Sequence, residues 1–512
     1  MKKISKAVSL LGLLFILISG TIDLDDLFNY ESQNIPSYIT KDNTPESNQI
    51  NNQITTLGRV LFYDKNLSEN NTVACASCHQ QAFAFSDPLT SSVGLNGGTT
   101  GRHSMRLVNS RFSNEGKFFW DERATSLEDQ VTQPIQDHVE MGFSGTNGDP
   151  NFNDLITKLS AIEYYETLFE FAYGNTTINE DKIQRALAQF VRSIQSFDSK
   201  FDVGLSEQPN LNAPFSNFTS QENLGKQLFL NPPPNGGAGC AGCHAPPEFD
   251  INPNTLNNGI IGVIGSTTEI DLTNTRSPSL RDLVNPDGDL NGPLMHDGSM
   301  TSLLQVIDHY NNIPNNSANT NLDNRLQRPG NQTQQLNLTT NQKNALVDFL
   351  KTLTGSAIYT NEIWSDPFDD QGNIRWYLDL SFHGAMVGPF QKVKNGNILV
   401  AGRRTIYEFD MLGKQVNKTL IDNNYGIHHD VLELPNGDLL LCVGKRNAFI
   451  EKDGKTVLSD SDFMIHFDRK KSKVVKEWDL AKAACKNALT IDPNFQIAKN
   501  NLNWANRELN KK

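Results

Sequence analysis

The pattern Cys-x-x-Cys-His occurs twice in this chain, as Cys75-Ala-Ser-Cys78-His79 and Cys240-Ala-Gly-Cys243-His244. Two thiols three residues apart can each add to one vinyl group of a haem, and the following His is then held under the iron as its proximal ligand. A protein carrying two such groups handles electrons. Zinc-ribbon pairs usually lie within about 15–20 residues of each other, whereas Cys75 and Cys240 are 165 positions apart. A thioredoxin-like motif needs no following His and leaves the second copy unexplained. Structural disulfides are the plainer alternative. The remaining Cys442 and Cys485 lie far apart near the C-terminus and read as ordinary buried thiols.

The N-terminus runs MKKISK and then AVSLLGLLFILISG, a basic start and an apolar stretch of signal-peptide length, followed by acidic sequence. The stretch is short for a transmembrane helix, so the expectation is an exported, periplasmic protein with cleavage near Gly20; an uncleaved anchor is the alternative. Export fits the haem reading, because haem of this type is attached outside the cytoplasm. The 512 residues leave room for three or four domains, and the net charge of −13 argues against a nucleic-acid partner. It leaves room for a basic redox partner docking by charge, or for a merely soluble acidic protein.

The two halves before residue 355 repeat each other. Leu57-Gly58-Arg59-Val60-Leu61-Phe62 lies 18 residues before Cys75, and Leu224-Gly225-Lys226-Gln227-Leu228-Phe229 lies 16 before Cys240; each reads as a helix leading into a haem-attachment loop. Downstream, FFWDERATSL (118–127) matches PLMHDGSMTSL (293–303), and helical periodicity follows each TSL. In this register Trp120 matches His296 and Pro134 falls opposite Tyr310. A phenol can ligate iron and proline cannot, so one haem is expected to be closed and the other to keep an open coordination position for peroxide.

These residues resemble the bacterial di-haem cytochrome c peroxidases, including their MauG-like branch. The resemblance covers roughly residues 50–355 and rests on both Cys-x-x-Cys-His sites, Trp120-Asp121-x-Arg123-Ala124, Gln130, Pro134, Glu140-Met141-Gly142 and His296-Asp297-Gly298. It implies a mostly α fold of two cytochrome-c-like haem domains packed face to face with calcium between them. It further implies that the haem on His79 is peroxidatic and the haem on His244 the electron store. Glu140 would be the distal acid/base with Gln130 close by, and Trp120 the aromatic bridge. Asn109, with the main-chain carbonyls of Asn291 and Pro293, would hold calcium. Two departures stand out. Peroxidases of the family commonly give the second haem a Met ligand where this chain has Tyr310, as the MauG-like branch does. Many also place a removable His over the first haem; the short loop here carries His103, where relatives often have Asn, and an always-open first haem is the preferred reading.

The residue chemistry agrees with those roles without requiring them. A carboxylate within reach of bound peroxide can move a proton between its oxygens; the plain alternative for Glu140 is a solvated helix-end charge, and for Gln130 a surface helix residue. Trp120 could equally be core. Arg123 and Asp121 read as an ion pair or as haem-propionate contacts, His296 as structural or propionate-binding, and Met295 and Met300 as fallback ligands of the second haem. His138 and His309 read as structural or exposed.

Past residue 360 the pattern changes to strand-like segments: GNILVAG (396–402), TIYEFD (405–410), GDLLLCVG (437–444) and DFMIHFD (462–468). Asn395-Gly396 and Asn436-Gly437 are 41 residues apart, a period suiting β-propeller blades. HHDVLELPNGD (428–438) resembles the propeller of aryl sulfotransferases, but only about two blades fit and no catalytic role is carried onto His428 or His429. The final stretch resembles a single tetratricopeptide unit. The expected organisation is therefore a signal peptide (1–20), a peroxidatic haem domain (21–205), an electron-transfer haem domain (206–355), a β-rich propeller-like fragment (356–480) and a helical hairpin (481–512).

Three functions are compatible with this reading. One is a di-haem peroxidase reducing hydrogen peroxide with electrons from a small cytochrome c or cupredoxin. The others are a MauG-like oxidase acting on a protein or organic substrate, and a non-catalytic electron carrier. Two covalent haems and one calcium ion are the expected cofactors, and a homodimer is allowed for.

Overall fold

The computed structural model describes residues 28–479 except 115, 331, 369–389, 394–396, 403, 410–414 and 453–454. The expected signal segment, the C-terminal hairpin and Cys485 lie outside these residues. The chain forms two compact units, one from Phe28 to Arg375 and one from the chain after it. Among the described residues no helix is long and apolar enough to cross a membrane.

The first unit is helical and duplicated. Its first half carries α1 (Asn52–Tyr63), α2 (Cys75–Cys78), α3 (Leu127–Val131), α4 (Phe152–Ser160), α5 (Glu163–Tyr173) and α6 (Glu180–Ser193). Its second half carries α7 (Lys200–Glu207), α8 (Ser220–Leu230), α9 (Leu303–Asn311) and α10 (Thr340–Lys351). Two short hairpins, β1 (His244–Ala245) with β2 (Asp250–Ile251) and β3 (Gln327–Arg328) with β4 (Gln332–Thr333), complete it.

The two halves repeat in atomic detail. α1 crosses α6 so closely that a Cβ on Gly58 would stand 1.9 Å from the carbonyl oxygen of Ala186; α8 crosses α10 so that a Cβ on Gly225 would stand 1.9 Å from that of Ala345. Only glycine permits either crossing. The close approach buries Phe62 against Phe190 (ring centroids 5.1 Å apart) and Phe229 against Phe349 (5.2 Å). Each such burial stabilises by roughly 1.5–3 kcal/mol.

The TSL segments also fold alike. Ser126 caps α3 by accepting from the Asp129 N–H, and Ser302 caps α9 by accepting from the Gln305 N–H. The N–H groups of Thr125 and Thr301 donate to the side chains of Asp129 (2.9 Å) and Gln305 (2.7 Å). Ahead of each cap a tight loop is closed by main-chain pairing, Phe118 with Ala124 and Leu294 with Met300. Inside these loops Phe119 and Met295 share a left-handed backbone, with φ +69° and +73°.

The boundaries differ from the sequence-based division. Phe201 and Leu205 of α7 pack in the core of the second half, and the Phe201 N–H donates to the Thr352 carbonyl (3.0 Å). The segment just past 355 packs on the helical unit: the Trp364 indole donates to the Ser193 carbonyl (3.0 Å) and the Tyr359 hydroxyl to the Val284 carbonyl (3.0 Å).

The second unit contains two four-stranded antiparallel sheets in sequential order. One holds β5 (Phe390–Lys392), β6 (Ile398–Gly402), β7 (Thr405–Phe409) and β8 (Gln415–Leu420). The other holds β9 (Tyr425–Glu433), β10 (Leu439–Lys452), β11 (Lys455–Asp468) and β12 (Lys473–Asp479). Residues 398–402, 405–409, 439–444 and 462–468 of the expected strand segments are strands. Leu399, Ile406, Val431, Leu441 and Ile465 share one apolar core between the two sheets. Arg469 links them by pairing with Glu408 and Glu433.

Candidate functional site

The first site grows out of α2. The His79 N–H bonds back to the Cys75 carbonyl (3.0 Å), and the chain then turns so that Gln80 pairs with Ser86. This brings the Phe85 carbonyl within 3.3 Å of His79 Nδ1. A carbonyl only accepts, so Nδ1 carries the proton and Nε2 keeps its lone pair for a metal. Burial pulls the His79 ring down to about 4, so it is neutral at ordinary pH. Burial also pushes the thiols of Cys75 and Cys78 up to about 12 and about 11.

His79, Gln130, Pro134 and Glu140 line a cavity of about 640 Å³. A smaller one of about 70 Å³ is lined by these four and by Cys75 and Cys78. Gln130 comes from α3; Pro134 lies just beyond it, and Glu140 at the end of the following turn. The Glu140 N–H is held by the Asp137 carboxylate (3.0 Å). Burial, with repulsion from Asp137 and against the pull of Arg123, pushes the Glu140 carboxyl up to about 7.

The second site is built alike. Cys240, Cys243 and His244 line a cavity of about 400 Å³ with Met295, Tyr310 and Asn258. Burial pulls His244 down to about 4, and its buried Nδ1 has no hydrogen-bond partner. Burial raises the Tyr310 hydroxyl well above its usual value. Met300, the other sequence candidate, is not part of the wall. The residues present fit a haem at each site: paired thiols, a neutral imidazole and an adjoining cavity.

Trp120, His103 and Arg276 line both large cavities. The Trp120 indole donates to the His103 carbonyl (2.7 Å), and the His103 ring bonds through Nδ1 to the Leu89 carbonyl (3.0 Å). Asp121 pairs with Arg102 and Arg123, both of which line the first cavity. His138 is an exposed partner of Asp149, while His309 is buried, with Nε2 on the Asn258 carbonyl (2.9 Å).

The calcium candidates are placed differently from one another. The Asn109 side chain exchanges hydrogen bonds with the main chain of Ser196 (2.9 and 3.1 Å). The Asn291 amide donates to the Asp282 carbonyl and the Tyr359 hydroxyl (both 2.8 Å), and Pro293 lies in the wall of the second cavity. Asn291 Oδ1 is buried without a hydrogen-bond partner, and the buried Asp282 carboxyl accepts from the Gly355 N–H (2.8 Å) and from the Ser196 side chain. Among the described residues no group of three His, Cys, Asp or Glu converges as a metal site would need.

Residues 52–210 match the family profile described as di-haem cytochrome c peroxidase. The methylamine utilization protein MauG of Methylorubrum extorquens is 32% identical over 275 residues, covering 52% of this chain and 70% of that one. The chain belongs to the di-haem cytochrome c peroxidase and MauG family. Membership makes it an oxidoreductase and implies two haem c groups. The cytochrome c551 peroxidase of Nitrosomonas europaea is 27% identical over 330 residues, 61% of this chain and 82% of that one. A crystal structure of a MauG-like protein associated with microbial copper homeostasis superposes with a TM-score of 0.53 at 28% identity, covering 66% of this chain and 99% of that one. Residues 337–507 match the arylsulfotransferase profile, in line with the sequence resemblance of the tail. Sequence reasoning missed Asn258: Asn258-Gly259 reads as a turn signal, and nothing in its spacing points to Tyr310, 52 residues on.

Proposed function

We propose that the chain reduces hydrogen peroxide to water at the His79 centre, drawing electrons from a small redox protein, a cytochrome c or cupredoxin, through the His244 centre. Glu140 carries this reading: a half-buried residue whose carboxyl is pushed up to about 7 and which lines the same cavity as His79. When bound, the two haems supply the electrons and the metal at which peroxide is held. Glu140 takes the proton from the near peroxide oxygen and returns it to the leaving one. Such help is typically worth about 10²–10⁴-fold and is best from a group that titrates near the working pH. Gln130 orients the bound oxygens through its amide. Pro134 brings no donor atom to the wall of the first cavity, while Tyr310 would offer its hydroxyl oxygen to a haem held in the second. Trp120, in both walls, carries electrons between the centres. In the test, Glu140→Gln keeps full haem content and loses at least about a hundredfold in kcat; unchanged turnover overturns the reading.

Tyr310 favours a second reading, a MauG-like oxidase. An oxygen ligand suits a higher oxidation state than a thioether does, and oxidising equivalents would then be drawn from a protein or organic substrate. Mixing the reduced protein with peroxide separates the two. Rapid turnover with cytochrome c supports the peroxidase, and a long-lived doubly oxidised form supports the oxidase.

The same reading includes export to the periplasm and a calcium ion near Asn109, Asn291 and Pro293, for which the unpartnered Asn291 Oδ1 is the support. It takes the two sheets of the second unit as two propeller blades, fewer than the roughly four a closed propeller needs.

A further inference from the structure

We propose that Met295 is a second, exchangeable axial ligand of the haem carried by His244, and that Asn258 is the positioning residue that aims both Met295 and Tyr310. This rests on the reading of Tyr310 as resident ligand. Asn258 Nδ2 lies 3.4 Å from the Tyr310 hydroxyl oxygen and 3.4 Å from the Met295 sulfur, and all three line the cavity that His244 faces. An amide nitrogen has two hydrogens, one for each acceptor.

The amide cannot be turned the other way. Its Oδ1 accepts from the Ile260 N–H (3.0 Å), so the NH₂ must face the two candidate ligands. The Asn258 carbonyl accepts from His309 Nε2 (2.9 Å), which ties the loop to the residue next to Tyr310 on α9.

Met295 is held in place by its backbone. A left-handed conformation is uncommon for a residue with a side chain, and here it repeats that of Phe119, which lines the first cavity. The pairing of Leu294 with Met300 (2.8 and 3.4 Å) locks the loop. The second cavity thus presents a hard oxygen and a soft thioether on one amide. Iron accepts either, and His/Met ligation raises the potential. The chain therefore holds the ligand sets of both branches of its family, and losing the phenol closes the iron with sulfur instead of opening it.

The test uses the haem-loaded full chain. Tyr310→Phe keeps a low-spin ferric EPR signal at the second haem, gains the near-infrared band of thioether ligation and shifts the potential upward. Tyr310→Phe with Met295→Leu turns that haem high-spin and lets it bind carbon monoxide when reduced. Adding Asn258→Leu to Tyr310→Phe abolishes the thioether band. Unchanged haem content and helical circular dichroism certify each variant as folded. A high-spin Tyr310→Phe overturns the proposal while leaving Tyr310 as resident ligand, and a double variant that stays low-spin also overturns it. A thioether band untouched by Asn258→Leu removes the positioning role. If Tyr310→Phe matches the wild type and Met295→Leu alone changes the spectrum, Met295 is the resident ligand, and the Tyr310 reading fails as well.

Discussion

Trp120 and His296 occupy the same place in the two halves of the duplicated unit, and their rings meet edge to face with centroids 6.3 Å apart. His296 is locked as a neutral ring: Nε2 donates to the Gly262 carbonyl (2.9 Å), and Nδ1 accepts from the Asn274 amide (2.7 Å). Both of its ring nitrogens are thus engaged by protein groups. His103 joins the pair, its carbonyl accepting from Trp120 and its N–H donating to the His296 carbonyl (2.8 Å).

Replacing the indole tests this junction. Trp120→Leu removes the aromatic that faces both cavities and leaves both attachment motifs intact. Two bound haems and electron transfer between them slowed about tenfold or more are expected, read by stopped-flow spectra after mixing the half-reduced protein with peroxide. Unaltered transfer would remove Trp120 from the route.

Glu140 sets a pH dependence. In the proposed reaction its carboxylate takes the proton, and burial has raised its titration to about 7, so kcat/KM should rise through that pH and level off above it. Glu140→Gln should flatten the rise. The stability effect has the opposite slope. A carboxyl raised above its unfolded value favours folding at low pH, and that contribution is lost as pH rises through about 7. Glu140→Gln should therefore melt higher than the wild type at pH 8, as thermal unfolding would show.

The helix crossings give a symmetric pair of predictions. Gly58→Ala and Gly225→Ala each drive a methyl onto a backbone oxygen that cannot yield. Each should cost about 1–3 kcal/mol or more, measured by thermal denaturation of the loaded protein. An unchanged melting temperature would mean the helices separate freely there.

Arg281 and Asp202 form a buried ion pair at 2.8 Å, with the Arg281 side chain fully enclosed. Burial pushes the Asp202 carboxyl up, but Arg281 prevails and holds it below its usual value. Its stabilisation is present at neutral pH and is lost as pH falls through that lowered value. Asp202→Asn should destabilise by about 3 kcal/mol because it takes the directly bonded carboxylate from a fully buried guanidinium and leaves it only the charge of Asp282. Chemical denaturation at pH 7 checks this.

Much of this was legible in the chain. The register that sets Trp120 against His296 and Pro134 against Tyr310 reappears as matched caps at Ser126 and Ser302 and matched left-handed turns at Phe119 and Met295. Local chemistry repeats where sequence repeats. Asn258 was not legible, because its meaning comes from a loop folding back over α9. The place of α7 was hidden too, since Phe201 belongs to the second core through contacts some 150 residues away at Phe349. The closure of the Asn109 amide on Ser196 is a tertiary fact of the same kind.

The most direct measurement is the EPR spectrum of the oxidised, haem-loaded protein. The expected result is one high-spin ferric signal from the open His79 centre and one low-spin signal from the His244 centre, in equal amounts. Two low-spin signals would mean that a side chain, His103 first among them, closes the first iron, and the asymmetry on which peroxide reduction depends would be gone.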